Sequence, residues 1–289
     1  MDQIRVSIVG ASGYSGEELL RILCKHPSAS ISAITSRQHA GKEVGKVFPR
    51  LAQSGLTFEE PSVESLRGCS DVVFLALPHG VACTYAVPLV AAGLRVIDIS
   101  ADFRLRDVSA YEQYYRQEHG APDLLGQAVY GLPELYREEL RGATLVACPG
   151  CYPTSIILPA APLLAAGLVS LEGIVACSLS GVSGAGRKVD LPYIFPECNE
   201  SVRPYGIVGH RHLPEIEQEL ARSAGVSALS ISFIPHLVPI NRGIHSTIVM
   251  QAEPGASEAD VRVALESRYG SERFVRILPP GELADTKHV

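Results

Sequence analysis

The feature that most constrains this chain lies at its start. A short β-branched run, Ile4 to Val9 (IRVSIV), leads into Gly10-Ala11-Ser12-Gly13-Tyr14-Ser15-Gly16, and a helical pattern continues through Glu17 to Leu23. Strand, glycine-rich turn and helix in that order read as GxxGxxG, a variant of the dinucleotide fingerprint. Glycine lets the backbone turn tightly and approach a pyrophosphate, while the helix N-terminus offers N–H groups and the positive end of its dipole. An ordinary strand–helix turn also uses glycine for positive φ, so the motif alone is weak. Its flanks favour the binding reading, with Gly10, Ser12, Gly13, Tyr14, Ser15 and Gly16 against the cofactor.

The alternation continues. Ile31–Thr35, Asp71–Leu77, Leu94–Ile99 and Thr144–Ala147 read as strands, and Val81–Ala92 as a helix closed by Gly93. Strands that are apolar throughout and alternate with helices predict a parallel sheet covered on both faces, an α/β Rossmann domain. The second strand ends in Thr35-Ser36-Arg37, with no acidic residue for a ribose 2′-hydroxyl, and Arg37 is suited to neutralise a 2′-phosphate. NADP is therefore expected over NAD, with Ser36 and Arg37 in contact. A solvated surface arginine is the plainer alternative. Leu77-Pro78-His79 closes the third strand at the edge where a cofactor would lie.

The character changes after Cys151. A helical run over Pro153–Ala166 precedes strand-like segments at Ile174–Leu179, Leu229–Phe233 and Ile244–Gln251, then a helix at Glu258–Arg268 and a strand at Phe274–Leu278. This pattern predicts a mixed or antiparallel sheet in an α+β domain. The division falls near Gly150, giving a cofactor domain over 1–150 and a second domain over 151–289.

Composition narrows the functional classes. The 289 residues are 46% hydrophobic and 19% charged, with a net charge of −6, so no basic field exists to hold nucleic acid. The N-terminus lacks a basic stretch followed by an apolar segment, and the longest apolar stretch, Ile156 to Val169, is too short to cross a bilayer. Seven cysteines scattered along apolar segments argue against a disulfide framework and for a reducing compartment, by default the cytoplasm.

Cys148-Pro149-Gly150-Cys151-Tyr152-Pro153-Thr154 joins the fifth strand to a helix. A CxxC can be a redox pair, half of a zinc site, or a loop presenting one catalytic thiol. Zinc needs further ligands, and no second CxxC or HxxxH exists, so no metal is expected. Against a redox pair, the surrounding chain looks like a nucleotide-binding enzyme of about twice a thioredoxin's size. The third reading has a physical basis: at a helix N-terminus the dipole stabilises a thiolate on Cys151. A second glycine-rich stretch, Gly181 to Arg187, follows the strand ending at Leu179-Ser180. It is a flexible loop or a backbone surface beside the nicotinamide or a phosphate, contributed by Ser180, Gly181, Ser183 and Gly184. Gly209-His210-Arg211-His212-Leu213-Pro214-Glu215 gathers two imidazoles, a guanidinium and a carboxylate before a helix, with Glu215 one turn from His212 to orient it. Thiol chemistry on an acyl phosphate needs a base, an acid and cations for the phosphate. His236 and His245 are rivals for the same roles.

Together these motifs resemble the N-acetyl-γ-glutamyl-phosphate reductase family, relatives of aspartate-semialdehyde dehydrogenase. The matching stretches are GASGYSGEELLRIL, Ser100 to Leu105 (SADFRL), Tyr130 to Glu134 (YGLPE), PGCYPT around Cys151, SGVSGAGR, GHRHLPEI and HLVPINRG, spread over nearly the whole chain. The resemblance implies a Rossmann domain followed by an α+β catalytic and oligomerisation domain like that of glyceraldehyde-3-phosphate dehydrogenase. It also implies a reaction. Cys151 attacks the γ-acyl phosphate of N-acetylglutamate, phosphate leaves, and NADPH reduces the thioester to the semialdehyde. By analogy His212 is the acid/base, oriented by Glu215, while His210, Arg211 and Arg104 hold phosphate or the substrate carboxylate. A dimer or tetramer is implied as well.

Two departures from the family pattern stand out. Cys148 occupies a position more often held by Asn, either as a tolerated replacement or as a partner for a Cys148–Cys151 disulfide. Family members also continue for some tens of residues with a helix returning to the cofactor domain, so a chain ending at Val289 is expected to lack that segment, to bind cofactor weakly and to dissolve poorly. Three alternatives stay open: a sister reductase of carrier-protein-bound aminoadipyl or glutamyl phosphate, aspartate-semialdehyde dehydrogenase itself, and a non-catalytic NADP-binding sensor.

Overall fold

A computed structural model describes residues 3–187 and 189–288. The chain divides into two compact units, Met1–Gly131 with Tyr136–Pro149, and Leu132–Leu135 with Gly150–Val289. Against the expected division at 150, the second unit also takes the short piece Leu132–Leu135.

In the first unit, six parallel strands among the described residues form one sheet in the order β2-β1-β3-β4-β6-β5: β1 Ile4–Val9, β2 Ala29–Thr35, β3 Val72–Leu75, β4 Arg95–Asp98, β5 Ala128–Tyr130 and β6 Leu145–Ala147. Helices α1 (Tyr14–Leu23), α2 (Val44–Val47), α3 (Val63–Cys69), α4 (Cys83–Ala91), α5 (Val108–Tyr115) and α6 (Pro122–Leu125) connect them, together with α7 (Pro133–Leu140), whose first residues belong to the piece counted with the second unit. Neighbouring residues Ile8 and Val9 are both buried but belong to different cores. Ile8 packs with Leu20 and Phe58, Val9 with Leu75 and Leu89. Successive side chains on a strand point to opposite faces, so both faces of this sheet are covered, as its uniformly apolar strands require. The strand order reverses between β1 and β3, and there a doubly wound sheet opens a crevice at its carboxyl edge.

In the second unit, four strands among the described residues form a mixed sheet in the order β10-β7-β9-β8: β7 Val175–Ser180, β8 Arg203–Pro204, β9 Ser232–Leu237 and β10 Ile244–Val249. β7 pairs parallel with β9 and antiparallel with β10, and β8 pairs antiparallel with β9. Its helices are α8 (Cys151–Ala165), α9 (Phe195–Cys198), α10 (Leu213–Ala224) and α11 (Glu258–Tyr269). The last opens with a capping box between Ser257 and Asp260. α8 is apolar nearly all round and buries Tyr152, Ile156, Ile157, Ala160 and Leu164, as a helix between a sheet and other helices must.

Two expectations for this half are corrected. The segment Phe274–Leu278 is not a strand. Its apolar side chains Val275, Ile277 and Leu278 instead face α8 and α11 across a groove, the Leu278 carbonyl accepts from Arg262, and Phe274 is 87% exposed. The strand expected at Leu229–Phe233 runs later, over Ser232–Leu237. The strand contains Pro235, which has no N–H to donate but whose carbonyl accepts the Tyr205 N–H at 3.0 Å. No helix among the described residues is long and apolar enough to cross a membrane.

Candidate active site

In the first unit the glycine fingerprint does what its residue types demand. Gly10 follows β1 at φ +82°, and a β-carbon there would collide with the Ala76 carbonyl oxygen just beyond β3. Gly16 packs so closely that its β-carbon would lie 2.5 Å from Cα of Ala11. Both positions therefore exclude side chains for packing reasons. Gly13 caps α1 without a side-chain hydrogen bond, and the exposed Tyr14 and Ser15 form the helix's first turn.

A groove of about 280 Å³ opens at the strand-order reversal, lined by Gly10, Ser12, Thr35, Ser36, Arg37, Leu77 and Pro78 together with Gln38, Pro61, Val81 and Tyr85. The Ser12 and Ser36 hydroxyls bond to each other at 2.8 Å, and Ser36 Oγ also accepts the His39 N–H. No carboxylate lines this groove among the described residues, and Arg37 is exposed at it. Thr35 Oγ1 is buried in its wall without a hydrogen-bond partner. A dinucleotide with a 2′-phosphate fits these features: a side-chain-free approach at Gly10, hydroxyls, one guanidinium and an unsatisfied polar atom. His79 lies outside the groove lining, exposed with its ring 5.5 Å from that of Tyr115. Gln38, Pro61 and Tyr85 were not singled out from sequence, because they lie outside any motif and only the fold brings them to the groove.

Arg104 also belongs to this unit. It is buried, its Nε donates to the Cys148 carbonyl at 2.8 Å, and its Nη2 donates to the Ile99 carbonyl at 2.9 Å. It thus braces the backbone at Cys148, whose N–H donates to the Asp98 carbonyl. Burial, reinforced by the Asp98 charge, pushes the Cys148 thiol up to about 12. Burial likewise raises the Asp98 carboxyl to about 7, even though Ser100 donates to both of its oxygens.

In the second unit Cys151 is exposed and is the first residue of α8, capped by Gly150. The thiol therefore stands at the positive end of a 15-residue helix, the setting that stabilises a thiolate. The residue before it is held from two sides. Glu215, 1% exposed in the first turn of α10, accepts the Gly150 N–H through Oε1 at 2.7 Å. The His212 ring lies where a side chain on Gly150 would go, its Nε2 2.6 Å from the position of such a β-carbon. Glycine at 150 is thus required for the imidazole to approach the turn that bears the thiol. Among the described residues no group of three or more His, Cys, Asp or Glu side chains is placed to hold a metal ion.

His210 stands behind His212. Its Nδ1 accepts the His212 backbone N–H at 3.1 Å, and its ring packs edge-on to Tyr152, Tyr205 and Phe233. Burial, with a smaller contribution from the Arg211 charge, lowers its pKa to about 4. At neutral pH His210 is therefore an uncharged ring, with its remaining proton on Nε2. Arg211, between the two histidines, is exposed. Tyr152, beside the nucleophile in sequence, is buried and receives the Tyr205 hydroxyl at 2.9 Å while donating to the His236 carbonyl at 3.3 Å. Tyr152, Tyr205 and Phe233 form the wall around the imidazoles. Only the first had a sequence signal, its adjacency to Cys151. The rival His236 meets this cluster through its backbone carbonyl, and its ring turns to the Ile234 carbonyl. His245 sits on β10 opposite Leu179.

Ser180 ends β7, and Gly181 to Gly184 begin a 3₁₀ turn at Val182–Ala185. A β-carbon on Gly181 would lie 2.8 Å from the Asn241 carbonyl oxygen, and the N–H groups of Val182 and Ser183 donate to the Ile240 and Asn241 carbonyls. This stretch is thus seated on the Ile240–Asn241 backbone, which accounts for glycine at 181.

Residues 5–143 match the semialdehyde dehydrogenase NAD binding domain, and residues 151–289 match the semialdehyde dehydrogenase dimerisation domain. The N-acetyl-gamma-glutamyl-phosphate reductase of Akkermansia muciniphila is 53% identical to all of this chain, which spans 84% of that relative. The enzyme of the same name from Saccharophagus degradans is 50% identical over 99% of this chain and 83% of its own length. Among solved structures, a probable aspartate-semialdehyde dehydrogenase from Pseudomonas aeruginosa aligns with a TM-score of 0.71 at 18% identity, covering 98% of this chain and 84% of its own. Aspartate semialdehyde dehydrogenase with NADP from Candida albicans aligns at 0.63 and 20% identity, over 91% of this chain and 76% of its own. At these identities the structures speak for the fold.

Proposed function

This chain belongs to the N-acetyl-γ-glutamyl-phosphate reductases, within the semialdehyde dehydrogenase family, and from that premise we propose that it reduces N-acetyl-γ-glutamyl phosphate to N-acetylglutamate semialdehyde and phosphate through a thioester on Cys151. The observation that carries this reading is the Gly150–Cys151 turn, clasped by the His212 ring and the Glu215 carboxylate at the start of a helix.

The roles follow from that geometry. The Cys151 sulfur attacks the acyl carbon, the C–O bond to phosphate breaks, and His212 takes the thiol proton. NADPH, when bound, would supply the hydride for reduction of the thioester. His212 protonates the resulting hemithioacetal oxygen, and then accepts that proton again as the C–S bond breaks and the aldehyde forms. The sulfur leaves as thiolate, which the N-terminus of α8 stabilises. Glu215 keeps the nucleophile's turn in place through the Gly150 N–H. Arg211 and the Nε2–H of His210 are the groups we assign to the phosphate or the substrate carboxylate. Arg104 acts through the backbone carbonyls it holds.

The preference for NADPH is supported by Arg37 and by the absence of a carboxylate in the groove among the described residues. Gly10, Ser12 and Ser36 would hold the phosphates and ribose there, and Ser180 to Gly184 are assigned to the nicotinamide end. We further propose a cytoplasmic homo-oligomer, dimer or tetramer. Seven cysteines with no disulfide between them suit a reducing compartment, and the match to a dimerisation domain supports self-association.

The test runs the reaction backwards: N-acetylglutamate semialdehyde should drive phosphate-dependent reduction of NADP+, and Cys151→Ser should abolish it. Activity only with a carrier-linked aldehyde reassigns the substrate, and no activity with any aldehyde ends the enzymatic reading.

A further inference from the structure

Asp102 lies in the Ser100–Leu105 stretch and has no part in the chemistry above. Its carboxylate is 0% exposed. Oδ1 accepts the Gly80 N–H at 2.6 Å and the Tyr111 hydroxyl at 3.0 Å, and Oδ2 accepts the Ala82 N–H at 3.0 Å. The Cys83 thiol also points at Oδ2, and the Gln117 amide donates to the Tyr111 oxygen at 2.6 Å. A carboxylate is tolerated at such depth only where donors replace its water. Two of these donors are backbone groups of a single turn, the one joining β3 to α4.

That turn is one wall of the dinucleotide groove. Leu77, Pro78 and Val81 line it opposite Gly10 and Ser12, and Leu77 Cδ2 lies 3.1 Å from where a β-carbon on Gly10 would stand. The wall residues are apolar and have no side-chain hydrogen bonds with which to hold their own position. Gly80 stands at φ +81°, a region glycine enters as readily as the negative one, so the residue by itself does not restrict the turn to one conformation. The Asp102 carboxylate supplies it from behind.

We propose that Asp102 is a positioning residue for the dinucleotide, fixing the Leu77–Val81 turn as a wall of the groove without itself touching the cofactor. This rests on the assignment of that groove to NADPH.

Asp102→Asn tests it. The replacement keeps the shape but turns one acceptor oxygen into an amide donor, leaving a backbone N–H of the turn facing it. Fluorescence titration with NADPH, without substrate, should show Kd rising about tenfold. The KM for NADPH should rise in step while kcat at saturating NADPH is retained. Alkylation of Cys151 by iodoacetamide should stay within about twofold, since the Asp102 carboxylate bonds to the Leu77–Val81 turn and Tyr111 rather than to the Gly150–Cys151 turn. Tyr111→Phe keeps both backbone bonds and should raise Kd by only about two- to threefold. A folded Asp102→Asn chain that binds NADPH like the wild type overturns the proposal, as does a loss confined to kcat. If Asp102→Asn does not fold, Tyr111→Phe decides, and an unchanged Kd overturns it. A tenfold affinity loss in a chain inactive on every aldehyde sustains the proposal and sinks the substrate assignment, whereas a wild-type chain that binds no NADPH overturns both.

Discussion

The imidazole of His212 fills the space that a side chain on Gly150 would occupy, with Nε2 2.6 Å from the position of the missing β-carbon. A methyl group there must displace the ring, which sits at the end of a rotatable side chain, so the fold can absorb the change while the site cannot. Gly150→Ala is therefore expected to lower kcat about 100-fold, the usual consequence of an ångström's misplacement of a reacting group. Thermal unfolding should shift little. Steady-state kinetics beside a melting curve separate the two effects, and full activity in Gly150→Ala would remove His212 from the mechanism.

His210 links stability to pH. In the fold its ring stays neutral down to about pH 4, because burial and the Arg211 charge oppose protonation. In the unfolded chain it takes up a proton below about pH 6.5. The unfolded state then binds more protons, so this contribution is complete above pH 6.5 and is lost as pH falls toward 4. His210→Asn keeps an acceptor for the His212 N–H without the titration. Urea unfolding at about pH 7.5 and about pH 5 should show a smaller acid loss in the variant, by roughly 1 kcal/mol after allowing for partial exposure of the ring. An identical pH dependence in both chains would contradict the assigned neutral state.

Cys148 and Cys151 share a motif but differ in environment. The Cys148 thiol is held at about 12 by burial and by Asp98, so it is protonated at neutral pH, while Cys151 is exposed at a helix start. Iodoacetamide at neutral pH should label Cys151 and leave Cys148 intact by peptide mass. Cys148→Ala should keep activity within about threefold. Because a thiol in the unfolded chain ionises near 8.5, the stability tied to Cys148 is present below that pH and lost as pH rises toward 12. Equal labelling of both thiols would return the motif to a redox reading.

Arg37 is the exposed guanidinium at the dinucleotide groove. Arg37→Ala is expected to weaken NADPH about tenfold, the worth of one charge-assisted contact to phosphate, and to leave NADH nearly unchanged. Parallel titrations with the two cofactors measure this, and an equal loss for both would place the arginine away from the 2′-phosphate.

Much of the fold was legible in the sequence. β1, β2, β4 and β7 announce themselves as short apolar runs closed by breakers, and their periodicity is a local property of the chain. β5, three residues at Ala128–Tyr130, and β8, two residues at Arg203–Pro204, are too short to have a period. The run at Phe274–Leu278 has a strand's composition, but its apolar side chains line a groove facing α8 and α11, which no local pattern reveals. The site divides in the same way. Cys151, His212 and Glu215 were visible as motif members, whereas Tyr205 and Phe233 look like ordinary core residues, and Asp102, though part of the Ser100–Leu105 stretch, showed no role until its partners were known.

What the sequence determined by itself was therefore the fingerprint at Gly10–Gly16, the thiol ahead of a helix, and the inventory of imidazoles and cations. Tertiary structure decided how they are used. The Gly150–Glu215 hydrogen bond spans 65 positions, and the neutrality of His210 arises from rings on three separate segments. Strand and helix periods depend on neighbours along the chain, while hydrogen-bond partners and desolvation depend on neighbours in space. Only folding brings the second kind together.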